Sequence, residues 1–574
     1  MSYICDRCGE MIKDNELCTC LISEKKEALK KRNKKYYLRK KYTDNLTENI
    51  LKSREIKEEI NEFLNIDFNK ISEDKYLNQE IAADIIYNKI KENKLIGIYG
   101  DYDADGITGT AVGYNIIKAL GGRVTYYIND RFKEGFGICV SGVEKLAAEK
   151  TDLIITVDNG ISGVEGVKKA KELGIEVIIT DHHEPNEELP DALIIDPKQK
   201  NCPSKNKEIT GVGVLFKILL EVCKKFNKEV IAKKEMDLVA LGTVADMGPL
   251  TGENRTIVKA GLMIWNLDKG KSGIKRLIEK IGINKEISTY ELGYVIAPIL
   301  NAESRLMGRP EKSIRLLTNN NTDLIDKDID YLIEINDKRK SMVEEQIGIG
   351  DQLIDPDKYL FFIYDQRITE GIAGLIASRL METYRRPTIV LGKTREGFYK
   401  GSGRSTAKFN LKKALDKNSK LLLNYGGHNL ACGLSVNEDN ISLVKSFLET
   451  EGKMLLEKEN NDEKIIIDWQ LRTEDINKKT VDELCSLEPF GIGFNKPVFI
   501  VKNIDIKNIS VLKEIHSKFN YHGVDFIAFN QLLQRGRYHV IGFPQINKYN
   551  GRENYQFLIR EVIAEDTEIC ELET

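Results

Sequence analysis

In LIGIYGDYDADGITGTA (residues 95–111) an apolar, partly β-branched run gives way to Asp101, Asp103 and Asp105 at alternate positions, followed by Gly106. The run has the length and composition of a buried strand. The same pattern recurs downstream. VTYYI (124–128), DLIITV (152–157), EVIIT (176–180) and ALIID (192–196) are short strands, and stretches such as 141–150 and 163–173 between them have helical periodicity. This alternation predicts a parallel sheet with helices on both faces, and functional groups gathered at the carboxyl ends of its strands.

Those strand ends carry chemistry. DLIITV runs into Asp158, Asn159 and Gly160, and EVIIT runs into Asp181, His182, His183 and Glu184. The apolar stretch DLVALGTVA (237–245) delivers Asp246. One aspartate after a strand is ordinarily a turn residue or a helix cap. Several carboxylates at one sheet edge repel one another unless cations sit among them. Oxygen donors with one or two imidazoles suit Mn²⁺ or Mg²⁺ better than zinc. Shared carboxylates allow two ions about 3.5–4 Å apart, an arrangement suited to in-line displacement at phosphorus. Asp101, Asp103, Asp105, Asp158, His182 and Asp246 are the candidate ligands. His183 is the candidate catalytic group, and Asp181 its orienting partner.

Asp181-His182-His183, together with GDYDADGITGTA (100–111), VDNG (157–160) and LGTVADMGPLTGENR (241–255), resembles the motifs of the DHH phosphoesterases, and within them the single-strand-specific exonucleases. The resemblance runs from about residue 79 to near the C-terminus. It implies a DHH domain over 79–319 and a smaller α/β DHH-associated domain over 351–455; the helical periodicity of 320–350 between them predicts a long helix joining the two lobes. TEGIAGLIASRL (369–380), GSGRS (401–405) and YGGHNLACG (425–433), with APILNAESRLMGRP (297–310) ahead of them, point to that smaller domain only in combination, since each motif alone is weak. By the same resemblance Arg131, Arg305, Ser402 and Arg404 form a pocket for a 5′ phosphate, and His428 meets a scissile or neighbouring phosphate. Ser405 is a further phosphate candidate beside Arg404. For Arg131 and Arg305 the competing expectation is a domain-interface ion pair. The sequence departs from the family at Ser304, where glycine is usual before the arginine, and at Gly109, where serine is usual.

From about 456, short strands with turn residues between them fit a small β-barrel: KIIIDW (464–469), PVFIVKNIDI (497–506), VDFIAFN (524–530), YHVIGFP (538–544) and NYQFLIREV (554–562). EPFGIGFNKPVF (488–499) resembles the entry to the family's OB-fold, so 456–574 is expected to be an OB-like single-strand-binding domain. The acidic stretch 561–574 is expected to be a solvated end.

The N-terminal region adds two features. Cys5, Cys8, Cys18 and Cys20 have a spacing able to close a tetrahedron around zinc, which predicts a zinc-ribbon-like knuckle over 1–22. EKKEALKKRNKKYYLRKKY (24–42) holds ten basic residues against two glutamates, a local charge of +8, with Tyr36, Tyr37 and Tyr42 interleaved. Within a basic helical arm over 23–78, this segment is either a solvated linker or a phosphate-tracking arm with rings for stacking. The other six cysteines are expected to be buried, reduced thiols.

The 574 residues suggest three or four domains at about 150 each. A balance of 86 basic against 89 acidic residues excludes a chain that is basic overall, though not local nucleic-acid patches. No apolar run approaches the ~18 residues of a membrane helix, and the Cys-rich, charged start is unlike a secretory signal, so a cytoplasmic protein is expected. The resemblance implies a hydrolase that degrades single-stranded DNA 5′→3′ to 5′-mononucleotides in recombination and repair. It would work as a monomer with a helicase and a single-strand-binding protein. Two rivals share parts of the pattern. A phosphodiesterase for oligonucleotides or cyclic dinucleotides needs only the two-domain core, and a catalytically dead DNA-binding scaffold needs no intact acid set.

Overall fold

The computed structural model describes residues 2–4, 11–13, 19–30, 33–68, 70–456, 463–549 and 552–572. Cys5, Cys8 and Cys18 lie outside the described residues, and Cys20 sits at the start of the helix Thr19–Lys30. Of the remaining cysteines, Cys485 and Cys570 are exposed, against the expectation of burial.

The first lobe is built on five parallel strands in the spatial order Arg123–Ile128, Leu95–Gly100, Leu153–Val157, Glu176–Thr180, Leu193–Ile195. Alternate residues of each strand enter different cores, as period-two geometry requires. Ile96, Ile98, Ile155 and Val157 pack with the helices Ala104–Ala119, Gly211–Lys225 and Met236–Ala245. Tyr99, Ile154, Val177 and Ile179 pack with Val140–Ala148 and Val164–Glu172 on the opposite face. After Leu95–Gly100 the chain turns to one side of that strand, and then crosses to the other side to form Leu153–Val157. The crevice between these two strands is therefore the topological switch point, where doubly wound folds place their ligands. Gly100 pairs with Val157, so Asp101 and Asp158 leave the sheet at the same level.

A 31-residue helix, Thr322–Gln352, joins this lobe to the second, as the periodicity of 320–350 predicts. At 1.5 Å per residue it is about 46 Å long. The second lobe is a five-stranded sheet in the order Asn424–Gly427, Ala431–Val436, Tyr399–Arg404, Thr388–Lys393, Phe361–Asp365, of which only the last pair is parallel. The C-terminal region is a seven-stranded sheet around Phe499, Phe519, Phe526 and Phe557, dominated by the hairpin Gly536–Tyr549/Arg552–Ala564.

Three expectations are corrected here. The basic segment is not helical throughout: Lys34–Leu38 is a strand. It lies in the middle of a small parallel sheet, between Glu463–Ile467 and Ile569–Glu571. The run KIIIDW is accordingly split, since Glu463–Ile467 leaves the barrel and only Trp469–Gln470 pairs with it. The acidic C-terminal stretch is not simply solvated, because Ile569–Glu571 pairs with the arm and Glu561 accepts from Lys34 Nζ (2.6 Å) and the Tyr36 hydroxyl (3.0 Å). Tyr36 is buried, leaving Tyr42 as the exposed ring of the three. Lys25 pairs with Asp357 of the second lobe, Lys26 with Asp351 at the end of the linking helix, and Arg39 with Asp468. Much of the +8 charge is thus spent on tethering the lobes rather than left free for phosphates. Among the described residues, no helix is long and apolar enough to cross a membrane.

Arg255, in the helix Gly252–Asn266, clasps three parts of the chain. Its guanidinium donates to the carbonyls of Phe63 (3.0 Å), Pro489 (2.9 Å), Leu487 (2.8 Å) and Glu488 (3.2 Å). It also stacks 3.8 Å from the Phe63 ring centroid and 5.2 Å from that of Phe494. Burial pushes its pKa down to about 10, which still leaves it charged at neutral pH. Removing it orphans buried carbonyls, each bonded to a charged donor. Arg255→Ala is therefore expected to destabilise the protein by about 3 kcal/mol or more in urea unfolding, with Arg255→Lys recovering less than half because an ammonium cannot span the carbonyls. A loss below about 1 kcal/mol would mean that the clasp is dispensable.

Candidate metal centre

The acids predicted from sequence converge in the crevice. Asp103 caps the helix Ala104–Ala119, accepting from the backbone N–H of Asp105 (3.0 Å) and Gly106 (3.3 Å). Asp105 reaches across to the helix Gly211–Lys225 and accepts from Gly211 N–H (2.7 Å) and Val212 N–H (2.9 Å), so that one helix carries the acid that satisfies the next. Asp158 adopts a left-handed conformation (φ +61°), a costly state for a residue other than glycine. Position 211 must be glycine there, because a Cβ would lie 2.5 Å from the Asp158 Cβ. Gly109 has the same logic: a Cβ would meet Val157 Cγ2 at 2.4 Å, so the departure from serine lets the helix sit against the strand. Ser304 is accommodated within the helix Ala297–Met307, where its hydroxyl donates to Asn301 O (3.2 Å).

Around His182 Nε2 lie Asp158 Oδ1 at 3.0 Å, Asp246 Oδ2 at 3.7 Å and Asp105 Oδ2 at 3.9 Å. Three sets of donors emerge, the donor atoms of each lying within 4.8 Å of one another: Asp101/Asp103/Asp158 and Asp105/His182/Asp246, which share no residue, and Asp158/His182/His183, which overlaps both. The short Asp158–His182 contact joins them. Burial raises the Asp101 carboxyl well above the usual range, and Asp103 raises it further. Burial and then Asp105 do the same to Asp158. Asp105 is lifted to about 7, by burial first and Asp103 second, despite its two backbone donors. The buried Asp101 Oδ1 has no hydrogen-bond partner. Burial and the neighbouring His183 push His182 down to about 3, so its ring is neutral and able to ligate. Crowded carboxylates, an orphaned oxygen and a neutral imidazole fit a pair of Mn²⁺ or Mg²⁺ ions.

His183 is held differently. Its Nδ1 donates to Asp181 Oδ1 (2.7 Å), which also accepts from the backbone of His182 (2.8 Å) and His183 (3.2 Å), while Asp181 Oδ2 accepts from Ile161 N–H (2.9 Å). Burial works against a charged ring, but the Asp181 hydrogen bond and charge outweigh it and lift His183 to about 9. Adjacent histidines thus have opposite protonation at neutral pH. Phe136 packs edge-on against His183 at 5.1 Å, and His428 of the second lobe stacks on it at 6.5 Å and 11°.

The predicted arginines also meet. Gly371, in the second lobe, packs against the first so closely that a Cβ would lie 1.9 Å from Arg305 O. Ser402 and Arg404 share one face of the strand Tyr399–Arg404, both beside Gly374, where a Cβ would lie 3.3 Å from Ser402 Oγ and 3.1 Å from Arg404 Nη2. Arg131 stacks over Tyr102 at 4.7 Å. Arg305 is pushed down to about 9, by burial first and then by the charge of Arg131, with Arg339 and Arg404 adding to it and only Asp103 opposing. Among the described residues no ion pair involves Arg131, Arg305 or Arg404, so the interface ion pair considered from sequence does not form. Ser405 is corrected: its hydroxyl is buried and donates to Phe409 O (2.7 Å).

Sequence reasoning missed Arg339 and Lys198. Arg339 lies on the linking helix, bonded to Asn336 Oδ1 (2.9 and 3.1 Å), and in sequence it looks like one more charge on a solvated helix. Lys198 acts electrostatically on His182, Asp246 and His428, and follows Asp196-Pro197, which carries no recognisable signal.

With this geometry in place, comparison with known proteins is informative. Family models match as the DHH family N-terminal domain over residues 95–243, the DHHA1 domain over 357–452 and the RecJ OB domain over 467–561. The chain is 34% identical over 510 residues to the single-stranded-DNA-specific exonuclease RecJ of Bacillus subtilis, covering 86% of this chain but 64% of that protein, so it spans under two thirds of that relative's length. It is 32% identical over 518 residues to the protein of that name from Haemophilus influenzae, covering 84% of this chain and 89% of that one. The crystal structure of RecJ from Thermus thermophilus in complex with Mn²⁺ superposes with a TM-score of 0.78 at 27% identity, covering 94% of this chain and 80% of the other. With DHH, DHHA1 and OB regions in this order and identity above 30% across most of a relative's length, the chain belongs to the RecJ family.

Proposed function

We propose that the protein is a metal-dependent exonuclease that degrades single-stranded DNA from its 5′ end and releases 5′-mononucleotides. The observation that carries this reading is the juxtaposition of a two-ion carboxylate centre with a pocket of arginines that form no ion pair among the described residues. The two curated relatives are named as single-stranded-DNA-specific exonucleases, and the Thermus structure holds Mn²⁺. When bound at the two donor sets, Mn²⁺ or Mg²⁺ lowers the pKa of water for in-line attack and screens the charge at phosphorus. The remaining work falls to the chain. Arg131, Arg305, Ser402 and Arg404, joined by Arg339, bind a terminal 5′ phosphate, which sets the direction of degradation. Asp181 fixes the His183 ring through Nδ1, leaving Nε2 to donate a proton to an oxygen of the scissile phosphate or the leaving group. His428 closes the site from the second lobe.

The OB region and its tether to the N-terminal strand favour a polymeric strand over a dinucleotide, which needs neither. A structural zinc at Cys5, Cys8, Cys18 and Cys20 belongs to this proposal and rests on the cysteine spacing alone. A role in recombination and repair, a helicase and a single-strand-binding protein as partners, and a cytoplasmic monomer rest on the motif resemblance.

Three outcomes test the reading. Asp103→Ala is expected to lower Mn²⁺-dependent cleavage of a 3′-labelled single strand by about three orders of magnitude while leaving strand binding intact. An active variant would sink the metal assignment. Arg404→Ala should erase most of the preference for a 5′-phosphorylated over a 5′-hydroxyl end, a change of about 10- to 100-fold in kcat/KM for the phosphorylated strand only. Equal losses on both ends would remove Arg404 from the pocket. His183 as a donor predicts a fall in kcat as pH rises through about 9. Because the Asp181 charge raises that pKa, Asp181→Asn should move the alkaline limb to lower pH, and an unmoved limb would assign it to another group.

A further inference from the structure

The helix that delivers Asp246 ends against a short π-helix, Glu291–Ile296, whose Gly293 sits where a Cβ would lie 3.2 Å from Val244 Cγ1. π-Helices are rare and concentrate at functional sites. The ring of Tyr290, the residue directly before this one, stacks on that of Tyr294 within it, with centroids 5.2 Å apart and an interplanar angle of 27°. They are 60% and 75% exposed, although neither the packing nor the site described above uses them. Met247, directly after Asp246, is 69% exposed and held in a left-handed conformation at φ +58°. The loop entering the OB region is bonded close to both in sequence: Thr289 Oγ1, next to Tyr290, donates to Phe490 O (2.6 Å), and Leu250 N–H, three residues after Met247, to Ile492 O (2.7 Å). Ile492, itself half exposed, therefore sits on the same rim.

We propose that Tyr290 and Tyr294, with Met247 and Ile492, form a stacking step for the bases of single-stranded DNA between the OB region and the metal centre; this rests on the exonuclease reading. The geometry gives the direction. Arg131 stacks over Tyr102, the residue between Asp101 and Asp103, so the phosphate pocket lies at the Asp101/Asp103 side of the centre. The tyrosines lie at the Asp246 side. A strand with its 5′ end among the arginines and its scissile phosphate at the ions leaves past Asp246, onto these rings. Every base has a π face, so such a step holds a strand without reading its sequence.

The test uses the full chain. Binding of a fluorescent, 5′-phosphorylated single strand long enough to reach the OB region is measured by anisotropy in EDTA, and hydrolysis of a dinucleotide is measured in Mn²⁺. The Tyr290→Ala/Tyr294→Ala variant should bind the strand roughly tenfold or more weakly, and Tyr290→Phe/Tyr294→Phe should bind like the parent. Dinucleotide hydrolysis should be unchanged in both. A parent strand with abasic sites at the stacking positions should bind as weakly as the alanine variant binds the intact strand. Unchanged strand binding by the alanine variant would overturn the proposal, as would a parallel loss of dinucleotide hydrolysis. Tyrosine-dependent binding in a protein that never shortens the strand would uphold the stacking step and overturn the exonuclease reading instead.

Discussion

The carboxylate of Asp105 spends both oxygens on the first backbone N–H groups of the helix Gly211–Lys225. That interaction brings two helices from different parts of the chain to one end of the sheet and fixes the space between them. Around it Asp103 caps one helix, Gly211 passes Asp158 closely enough to exclude any side chain, and Gly242 lies where a Cβ would meet Thr108 Oγ1 at 2.3 Å and Asp105 Oδ1 at 3.1 Å. The helix bearing Gly242 then ends at Asp246. Four candidate ligands are therefore positioned by one buried contact and two glycines. Satisfying Asp105 with backbone dipoles while leaving Asp101 Oδ1 without a partner concentrates the unmet need for positive charge where cations would bind.

The second constraint is how the lobes are held over that centre. Covalently they are joined by a long helix, which leaves their relative orientation open. Non-local contacts fix it. Lys25 pairs with the second lobe and Lys26 with the end of the linking helix, Lys34–Leu38 pairs with strands from the far end of the chain, and Arg255 binds the carbonyls that lead into the OB region. Gly371 seats the second lobe on Arg305. The result brings arginines from two lobes and the linking helix to one place, where among the described residues none of them forms an ion pair. Desolvated, unpaired guanidiniums are costly, and a phosphate offsets that cost.

Much of this was legible in advance, for reasons that can be stated. Strands such as LIITV are buried on both faces and are therefore uniformly apolar, which separates them from the helices around them. Acids directly after such runs must lie at one sheet edge, whatever the details of packing. The resemblance at Asp181-His182-His183 supplied what spacing could not: the lobes and the arginines brought between them. Misread segments share one property. Lys34–Leu38 and Ile569–Glu571 pair in parallel across more than 500 residues, and a strongly charged strand carries no amphipathic signature until its partner of opposite charge is known. Tyr36 resembled an exposed stacking ring because its burial depends on those partners. Arg339 was invisible because a helix surface becomes a pocket wall only when another lobe packs over it.

By itself the sequence determined the parallel sheet, the sheet edge at which the acids gather, the neutral or charged character open to each donor, and the long helix between lobes, since these follow from local periodicity and residue chemistry. Only the tertiary structure decided that His182 is neutral while His183 is charged, that Arg339 joins the arginines while Ser405 does not, and that two tyrosines meet at a π-helix beside Asp246. Each of these depends on burial and on neighbours distant in sequence, and burial in a low-dielectric interior is a property of the packed chain rather than of any segment of it.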